Sequence, residues 1–518
     1  MKIKNLLFGM LASVALVGCS NDDEPVVNNG NEGKGDSYVA ISIVAPGGSS
    51  SRATEGEYEV GVGKENEANS ALFVFFNRDN QFVQAKSLNL NWDSKTSNSP
   101  QVEKISEAVL VLDENAASTH SKVVAILNTD LMPSQVSGKS LSQICDLADD
   151  YSSTESFVMS STVYFDATGV KKIASDLTAA NFATSEELAK QAPVEVYVER
   201  VLARVDAVAK DVEVDGEDVI LDQESNVTLT AKILGYKLYS TSETSYLIKN
   251  IPNKVDAYAW NWNDAPNKRS YWATIPADME YDVKVSYNTI NDFTGEEYQE
   301  YVQENTGAKT NDIATDKATK LLVKAKLQKA VNGGTPVDAG TIIQYKGMYF
   351  TEDGFLALVN SSLQGYTYEK TVDEGTLVSN DWTNYIKIVK SGAEDAKAWE
   401  IAVVLDVNEE KPFPGTDAVK LQMEEALSNL GTAWCWNEGA AYFYVDIEHF
   451  GTGDEAIGIV RNHIYQLTIS KIKGLGTPVY DPNETIIPEK TPVEPSSYVA
   501  AKINILKWKL VKQNVTLE

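Results

Sequence analysis

The chain has 518 residues, 43% of them apolar and 23% charged; that length calls for more than one globular unit, and that composition excludes wholesale disorder. A formal net charge of −29 excludes a nucleic-acid binder, which needs clustered Lys and Arg, and suits a chain kept soluble by mutual repulsion. Three cysteines are too few for a disulfide scaffold.

The N-terminus opens with Lys2 and Lys4, runs apolar over residues 6–17 and reaches Gly18-Cys19. A basic start before a short apolar stretch is a secretion signal, too short to span a bilayer. Leu16-Val17-Gly18-Cys19 resembles a bacterial lipobox, which assigns residues 1–19 to a signal peptide and makes Cys19 the lipidated residue. Acyl chains of the palmitate type there would hold the precursor on an outer membrane. Residues 20–37 are polar and glycine-rich, the composition of a tether. The acids after Cys19 resemble the surface-export signal of Bacteroidales lipoproteins.

Val39, Ile41 and Ile43 alternate cleanly, so this segment is expected to be a strand. A Gly/Ser loop follows and ends at Arg52-Ala53. Arg52 is the only basic residue between Lys34 and Lys64, which makes the loop a substrate for a trypsin-like protease. Residues 20–52 thus read as a tether plus a removable first strand.

The body reads as mainly β. Short apolar or alternating segments at 71–76, 123–127, 194–208, 227–233, 321–327, 399–407, 442–447 and 464–472 predict strands, with turn signals between many of them. Residues 417–430 predict a helix with Val419, Met423, Ala426, Leu427 and Leu430 on one face, Thr416 as N-cap and Gly431 as stop. Shorter helices are expected at 140–147, 185–189 and 353–363. This pattern fits two β-sandwich-like domains of Greek-key or transthyretin-like type, with a few short helices in connections. The boundary is expected near 249–258, giving an N-terminal domain at 53–250 with an acceptor groove and a C-terminal domain at 251–497.

Chemistry-bearing candidates are few. His120, His449 and His463 fall in no catalytic or metal-binding pattern, and no catalytic, metal or cofactor site is expected. Asp211, Glu213, Asp215-Gly216 and Asp222 mimic the spacing of a calcium loop, but the flanks alternate like strands, so a hairpin turning at Asp215-Gly216 is the better account. Trp260, Trp262, Tyr271 and Trp272 are candidates for stacking on sugars or for packing near the domain junction. Cys145 and Cys435 read as small buried hydrophobes.

The C-terminal residues 498–518 also read as strands. Val499, Ala501, Ile503 and Ile505 form one alternating face, expected to pair at home. Trp508, Leu510, Val511, Val515 and Leu517 extend the apolar pattern with a phase shift at Val511. A chain seldom ends in so many strand-forming residues unless they pair with something, so 508–518 is assigned as a strand donated to a neighbour.

Residues 459–469 (IVRNHIYQLTI), 474–479 (GLGTPV) and 500–509 (AAKINILKWK) closely resemble the Bacteroidales fimbrillin (type V pilin) family, in the branch holding the short-fimbria (minor fimbrium) shaft subunit. Residues 196–205 (VYVERVLARV) and 269–273 (RSYWA) look like further family blocks. The resemblance implies a structural protein, not an enzyme, that polymerises head to tail with itself and joins accessory tip and anchor subunits. It implies export as a lipoprotein, removal of the first strand between Arg52 and Ala53 by an arginine-specific protease, and a role in adhesion and biofilm formation. It implies that the C-terminal strand of one subunit fills the groove emptied in the next. Extended, 508–518 spans about 36 Å, enough to cross a domain. Alternative expectations are a fimbrial anchor, a tip adhesin or a surface glycan-binding lipoprotein.

Overall fold

The computed structural model describes residues 37–45, 58–59, 61–90, 95–96, 104–112, 115–166, 168–251, 272–276, 280–292, 298–306, 317–372, 375–449, 457–488, 498–508 and 513–515. The protein is mainly β, with its described strands in three main sheets and a few two-stranded pairs. Among the described residues no helix is long and apolar enough to cross a membrane.

The first sheet runs in the order Gln513–Val515, Lys104–Leu112, Ser37–Ala45, Val194–Arg200, Met159–Ser161, Lys122–Leu127, Ser70–Phe76, Phe82–Asn89. Two of its strands, Ser70–Phe76 and Lys122–Leu127, are apolar after their first residue because both of their faces are covered. Phe73 and Phe75 join Leu110, Val123, Ala125, Val196 and Val198 in one core. The alternate residues Leu72, Val74 and Phe76 turn to the opposite face, where Leu141 and Ile144 of the helix Leu141–Cys145 meet Leu247, Ile248 and Ile251.

A five-stranded sheet follows the order Tyr58–Glu59, Tyr498–Trp508, His463–Lys473, Leu202–Asp215, Tyr298–Gln303. It shares a core with a second large sheet centred on Glu224–Tyr239, Lys320–Val331 and Ala440–Asp446: Val205, Tyr465 and Leu467 on one side face Leu229, Leu238, Leu321 and Val323 on the other. These two sheets form a sandwich. On the second sheet's far side the helices Glu352–Ser362 and Asp417–Ser428 cover Ile343, Phe350, Ile401 and Cys435. Thr416 caps the latter helix by accepting from Val419 N at 3.4 Å, and Gly431, at φ 79°, follows its end.

Sheet membership changes at Val201, earlier than the sequence suggested. Apart from Tyr58–Glu59 and the short two-stranded pairs, strands up to Val194–Arg200 belong to the first sheet, whereas Leu202–Asp215 pairs with Tyr298–Gln303 and His463–Lys473, and Glu224–Tyr239 pairs with Lys320–Val331. Residues 202–239 therefore build with the C-terminal strands. Local pattern marks strands but not their partners, so residues 194–208 read as one continuous strand. Of the expected boundary, 249–251 pack against the first sheet and 252–258 lie outside the described residues.

Asp215-Gly216 is not a hairpin turn either. Leu202–Asp215 and Glu217–Leu221 lie in different sheets, so the chain crosses between sheets there. Gly216 is required by crowding, since a Cβ would come 2.4 Å from Leu229 O. The hairpin turn falls at Asp222-Gln223, where φ of 49° and 75° matches a two-residue turn between Leu221 and Glu224.

Candidate functional site: the leader-strand slot

The strand holding Val39, Ile41 and Ile43, Ser37–Ala45, lies inside the first sheet rather than at its edge. On one side it runs antiparallel to Lys104–Leu112 through nine registered pairs, with Val39 opposite Leu110, Ile41 opposite Ala108 and Ile43 opposite Ser106. On the other it runs parallel to Val194–Arg200, with Ile41 opposite Val194 and Ile43 opposite Val196. Tyr38 and Val39 also pair with Ala183 and Phe182. Leu110, Ala108 and Val196 are wholly buried, so the leader strand adjoins the centre of the first core. Taking it out would leave two strands with unpaired backbone groups facing each other across an empty slot.

Cys19, Arg52, Ala53, Leu510, Val511 and Leu517 lie outside the described residues. Beyond the expected cleavage point the chain is firmly held. Tyr58–Glu59 runs parallel to the C-terminal strand, with Glu59 opposite Trp508. Six residues further on, the Glu65 carboxylate is 99% buried. It accepts from Arg204 Nη1 at 2.8 Å, Tyr301 Oη at 2.5 Å and Val62 N at 2.7 Å, and Arg200 Nε donates to the Glu65 carbonyl. Arg204 also donates to Asp206 at 3.0 Å. Burial, with the Glu65 hydrogen bond, pushes the Tyr301 phenol up; burial raises the Asp206 carboxyl against the pull of Arg204. The sequence offered no signal for Glu65, because an acid in a polar stretch reads as solvated surface.

The C-terminal strand Tyr498–Trp508 pairs antiparallel with His463–Lys473, so Val499 to Ile505 pair at home and Trp508 closes the same strand. Gln513–Val515 lies in the first sheet of its own chain, with Val515 parallel to Glu107. It sits close to the leader strand. Ser37–Ala45 and Gln513–Val515 thus both pair with Lys104–Leu112.

The stretch 459–469 knits the sheets together. Arg461 is fully buried and donates to Glu304 at 2.8 Å, to the carbonyls of Tyr246 and Leu247 at 2.6 and 3.1 Å, and to Ser245 Oγ at 2.9 Å. Asn462 Oδ1 accepts from Arg200 N at 3.2 Å. Lys249 and Glu199, sealed from solvent, pair at 3.5 Å. His463 Nδ1 lies 2.7 Å from Arg461 O and His449 Nδ1 lies 3.0 Å from Tyr465 Oη; His120 contacts Thr119 and Gln84. All three histidines sit in the packed interior.

Trp272 is 98% buried and edge-on to His449 at 4.9 Å, which removes it from any sugar-stacking surface; Trp260, Trp262 and Tyr271 lie outside the described residues. Asp211, at φ 50°, sits in a bulge of its strand. Asp222 accepts from Thr351 N at 3.0 Å and Thr351 Oγ1 at 2.5 Å, next to the start of the helix Glu352–Ser362. Among the described residues these acids form no cluster that could hold a metal ion. Burial pushes the Cys435 thiol up to about 12 and the half-buried Cys145 thiol to about 11.

Residues 435–514 match the family model for the C-terminal part of fimbrillin, described as the major fimbrial subunit protein type IV. The match is confined to the C-terminal region. It takes in the sandwich strands Ala440–Asp446, His463–Lys473 and Tyr498–Trp508 and ends within Gln513–Val515. No protein with a curated description matches the sequence. Among solved structures, the chain is similar to a proposed cell adhesion protein from Bacteroides eggerthii (12% identity, 93% of this chain and 99% of that chain, TM-score 0.36). A fimbrilin from Porphyromonas gingivalis W83 aligns at 13% identity over 93% and 99% with a TM-score of 0.35. A tip fimbrial protein from Porphyromonas gingivalis with a C-terminal truncation aligns at 10% over 91% and 100% with a TM-score of 0.30. Superpositions this loose carry no weight on their own.

Proposed function

We propose that the chain is the precursor of a structural subunit of cell-surface fimbriae that polymerises by protease-triggered strand exchange. In this reading Cys19 carries the lipid that holds the precursor on the outer membrane. An arginine-specific protease cuts between Arg52 and Ala53, and Ser37–Ala45 leaves. The segment after Trp508 of another subunit, with Leu510, Val511, Val515 and Leu517, then fills the slot, while Trp508 stays in its home strand. Tip and anchor subunits of the same system would cap the ends.

The observation that carries the reading is the leader strand's position, paired on both sides within the first sheet and followed within seven residues by Arg52. A covalently attached plug in a central slot keeps the precursor from polymerising by strand exchange, and a cut in the loop after it makes the plug replaceable. Filling such a slot with about five apolar side chains is worth on the order of 8–15 kcal/mol before ordering costs. Net backbone hydrogen bonds add about 0.5–1.5 kcal/mol each. The exchange is heterologous and does not close, so it generates filaments. Glu65 supports the scheme from the other side: its buried contacts hold the chain just past the cut while the strand before the cut departs.

The test treats the purified full-length chain with a low dose of trypsin. N-terminal sequencing is expected to find Ala53, and electron microscopy is expected to find filaments. A chain ending at Trp508 is expected to be cut equally well and to stay monomeric. Filaments from that truncated chain would rule out the C-terminal segment as donor.

A further inference from the structure

Arginine is scarce and unevenly placed in this chain. Of its 45 lysines and arginines only six are arginine: Arg52, Arg78, Arg200, Arg204, Arg269 and Arg461. Arg200, Arg204 and Arg461 are buried and committed to interior partners, among them the Glu65 carbonyl, the Glu65 carboxylate and Glu304 respectively. Those sites suit arginine, whose planar fork makes several hydrogen bonds at once. Exposed cations such as Lys64, Lys210, Lys232 and Lys346 are lysines instead. Arg269 lies outside the described residues, which leaves Arg78 as the one exposed arginine among them.

Arg78 sits at the tip joining Ser70–Phe76 to Phe82–Asn89, and exposed tips are where proteases usually nick a fold. This tip is pinned. Asn77 N donates to Gln81 O at 3.0 Å and Asn80 N to Asn77 O at 3.1 Å. Asn77 Oδ1 accepts from Asp79 N and from Gln81 N, both at 2.9 Å. Asn80, left-handed at φ 60°, is tied to the body: its carbonyl accepts from Leu141 N at 2.9 Å and its Oδ1 from Lys122 Nζ at 2.5 Å. The amide that a cut after Arg78 would break is that of Asp79, already held by Asn77. An endoprotease takes its substrate as an extended strand, so cleavage there requires residues 77–81 to be drawn out and these bonds to open first.

We propose that the Arg78–Asp79 bond is a latent cleavage site for an arginine-specific protease, held shut by the Asn77–Asn80 turn, so that the enzyme that frees the leader strand spares the body behind it. Its purpose rests on the maturation reading above; the shut turn does not. Hydrolysis would add water across the Arg78 carbonyl carbon and the Asp79 nitrogen, leaving a carboxylate and a new amino terminus. It would sever Ser70–Phe76, whose Phe73 and Phe75 lie in the first core, from its neighbour Phe82–Asn89. An arginine-specific enzyme meets Arg52 at the end of a Gly/Ser run, finds Arg200, Arg204 and Arg461 sealed, and meets Arg78 only in a closed turn. The lysines it passes over are the cations left in the open.

The test digests the folded full-length chain with an arginine-specific endoprotease and follows each fragment by intact mass. In the unmodified chain the bond after Arg78 is expected to be cut at least tenfold more slowly than the bond after Arg52. Asn77→Ala, which removes the Oδ1 acceptor, is expected to speed the cut after Arg78 at least tenfold, with circular dichroism and the rate after Arg52 unchanged. Insertion of three glycines between Asn77 and Arg78, which lengthens the tip without touching the strands, is expected to do the same. Arg78→Lys is expected to abolish that fragment in every background, which identifies the bond. Cleavage after Arg78 as fast as after Arg52 in the unmodified chain, or a rate at Arg78 that neither Asn77→Ala nor the insertion raises, overturns the proposal. A chain left uncut after Arg52 while Asn77→Ala is cut after Arg78 would count against maturation at Arg52 alone and leave the shut turn standing.

Discussion

Arg461 and Glu304 meet with both side chains sealed from water. Burying such a pair brings little net stability, yet stripping one partner strands a charge in a dry site at a cost of about 3–5 kcal/mol. Arg461 is additionally committed to two carbonyls and a hydroxyl from residues 245–247, so it fixes how that segment lies against the strand at 463. Glu304→Ala is therefore expected to lower unfolding stability by about 3–5 kcal/mol, read from the urea midpoint, whereas replacing both residues with Met should recover much of the loss. A loss below about 1 kcal/mol in the single variant would mean that water reaches the guanidinium after all. The motif around Arg461 was visible in the sequence as a family block. Its role was not, because burial of a charge depends on residues more than 150 positions away.

At the scale of elements, strands were legible wherever apolar residues alternate or run together, as at 71–76, 321–327 and 464–472. The helix Asp417–Ser428 was legible through its cap and stop. Partnership between strands was not legible: residues 194–208 looked like one strand but serve two sheets, and the corner at Asp215-Gly216 looked like a hairpin. The slot makes a prediction at this scale. In a chain clipped after Arg52 and ending at Trp508, the leader strand has gone and no donor replaces it. Backbone amides of Lys104–Leu112 and Val194–Arg200 are then expected to exchange with deuterium at least tenfold faster than in the precursor. Amides of Lys320–Val331, in the sandwich, are expected to keep their rates. Equal protection of the slot strands before and after clipping would show that the leader strand is not what seals them.

For the whole molecule, alkaline pH should be more damaging than mild acid. Burial raises the Cys435 thiol from its ordinary 9.0 to about 12 and the Tyr236 and Tyr281 phenols from 10.0 to about 12. Burial also pushes up Tyr298 and Tyr465. A group with a raised value keeps its proton in the folded chain after the unfolded chain has released it. Stability from these groups is therefore intact below about pH 9 and falls as pH rises towards about 12. The urea midpoint is expected to decline steadily between pH 9 and 11, and Cys435 should resist alkylation at pH 8 until the chain unfolds. A flat midpoint across that range would contradict the sealed interior.

Read by itself, the sequence determined what local chemistry determines: a basic then apolar start whose Leu16 to Cys19 resemble a lipobox, a lone Arg52 in a Gly/Ser loop, alternating apolar patterns near both termini, and residues resembling fimbrillins in the C-terminal region. Only the tertiary structure decided that the leader strand sits between two others rather than at an edge, that Glu65 and Arg461 are buried anchors, and that Tyr368–Val372 and Gly375–Ser379 pair only with each other among the described residues. The division has one physical cause. Periodicity and turn residues act over a few neighbours, whereas pairing, burial and exposure are set by which distant segments share a face, and many arrangements of the same strands satisfy the local pattern equally well.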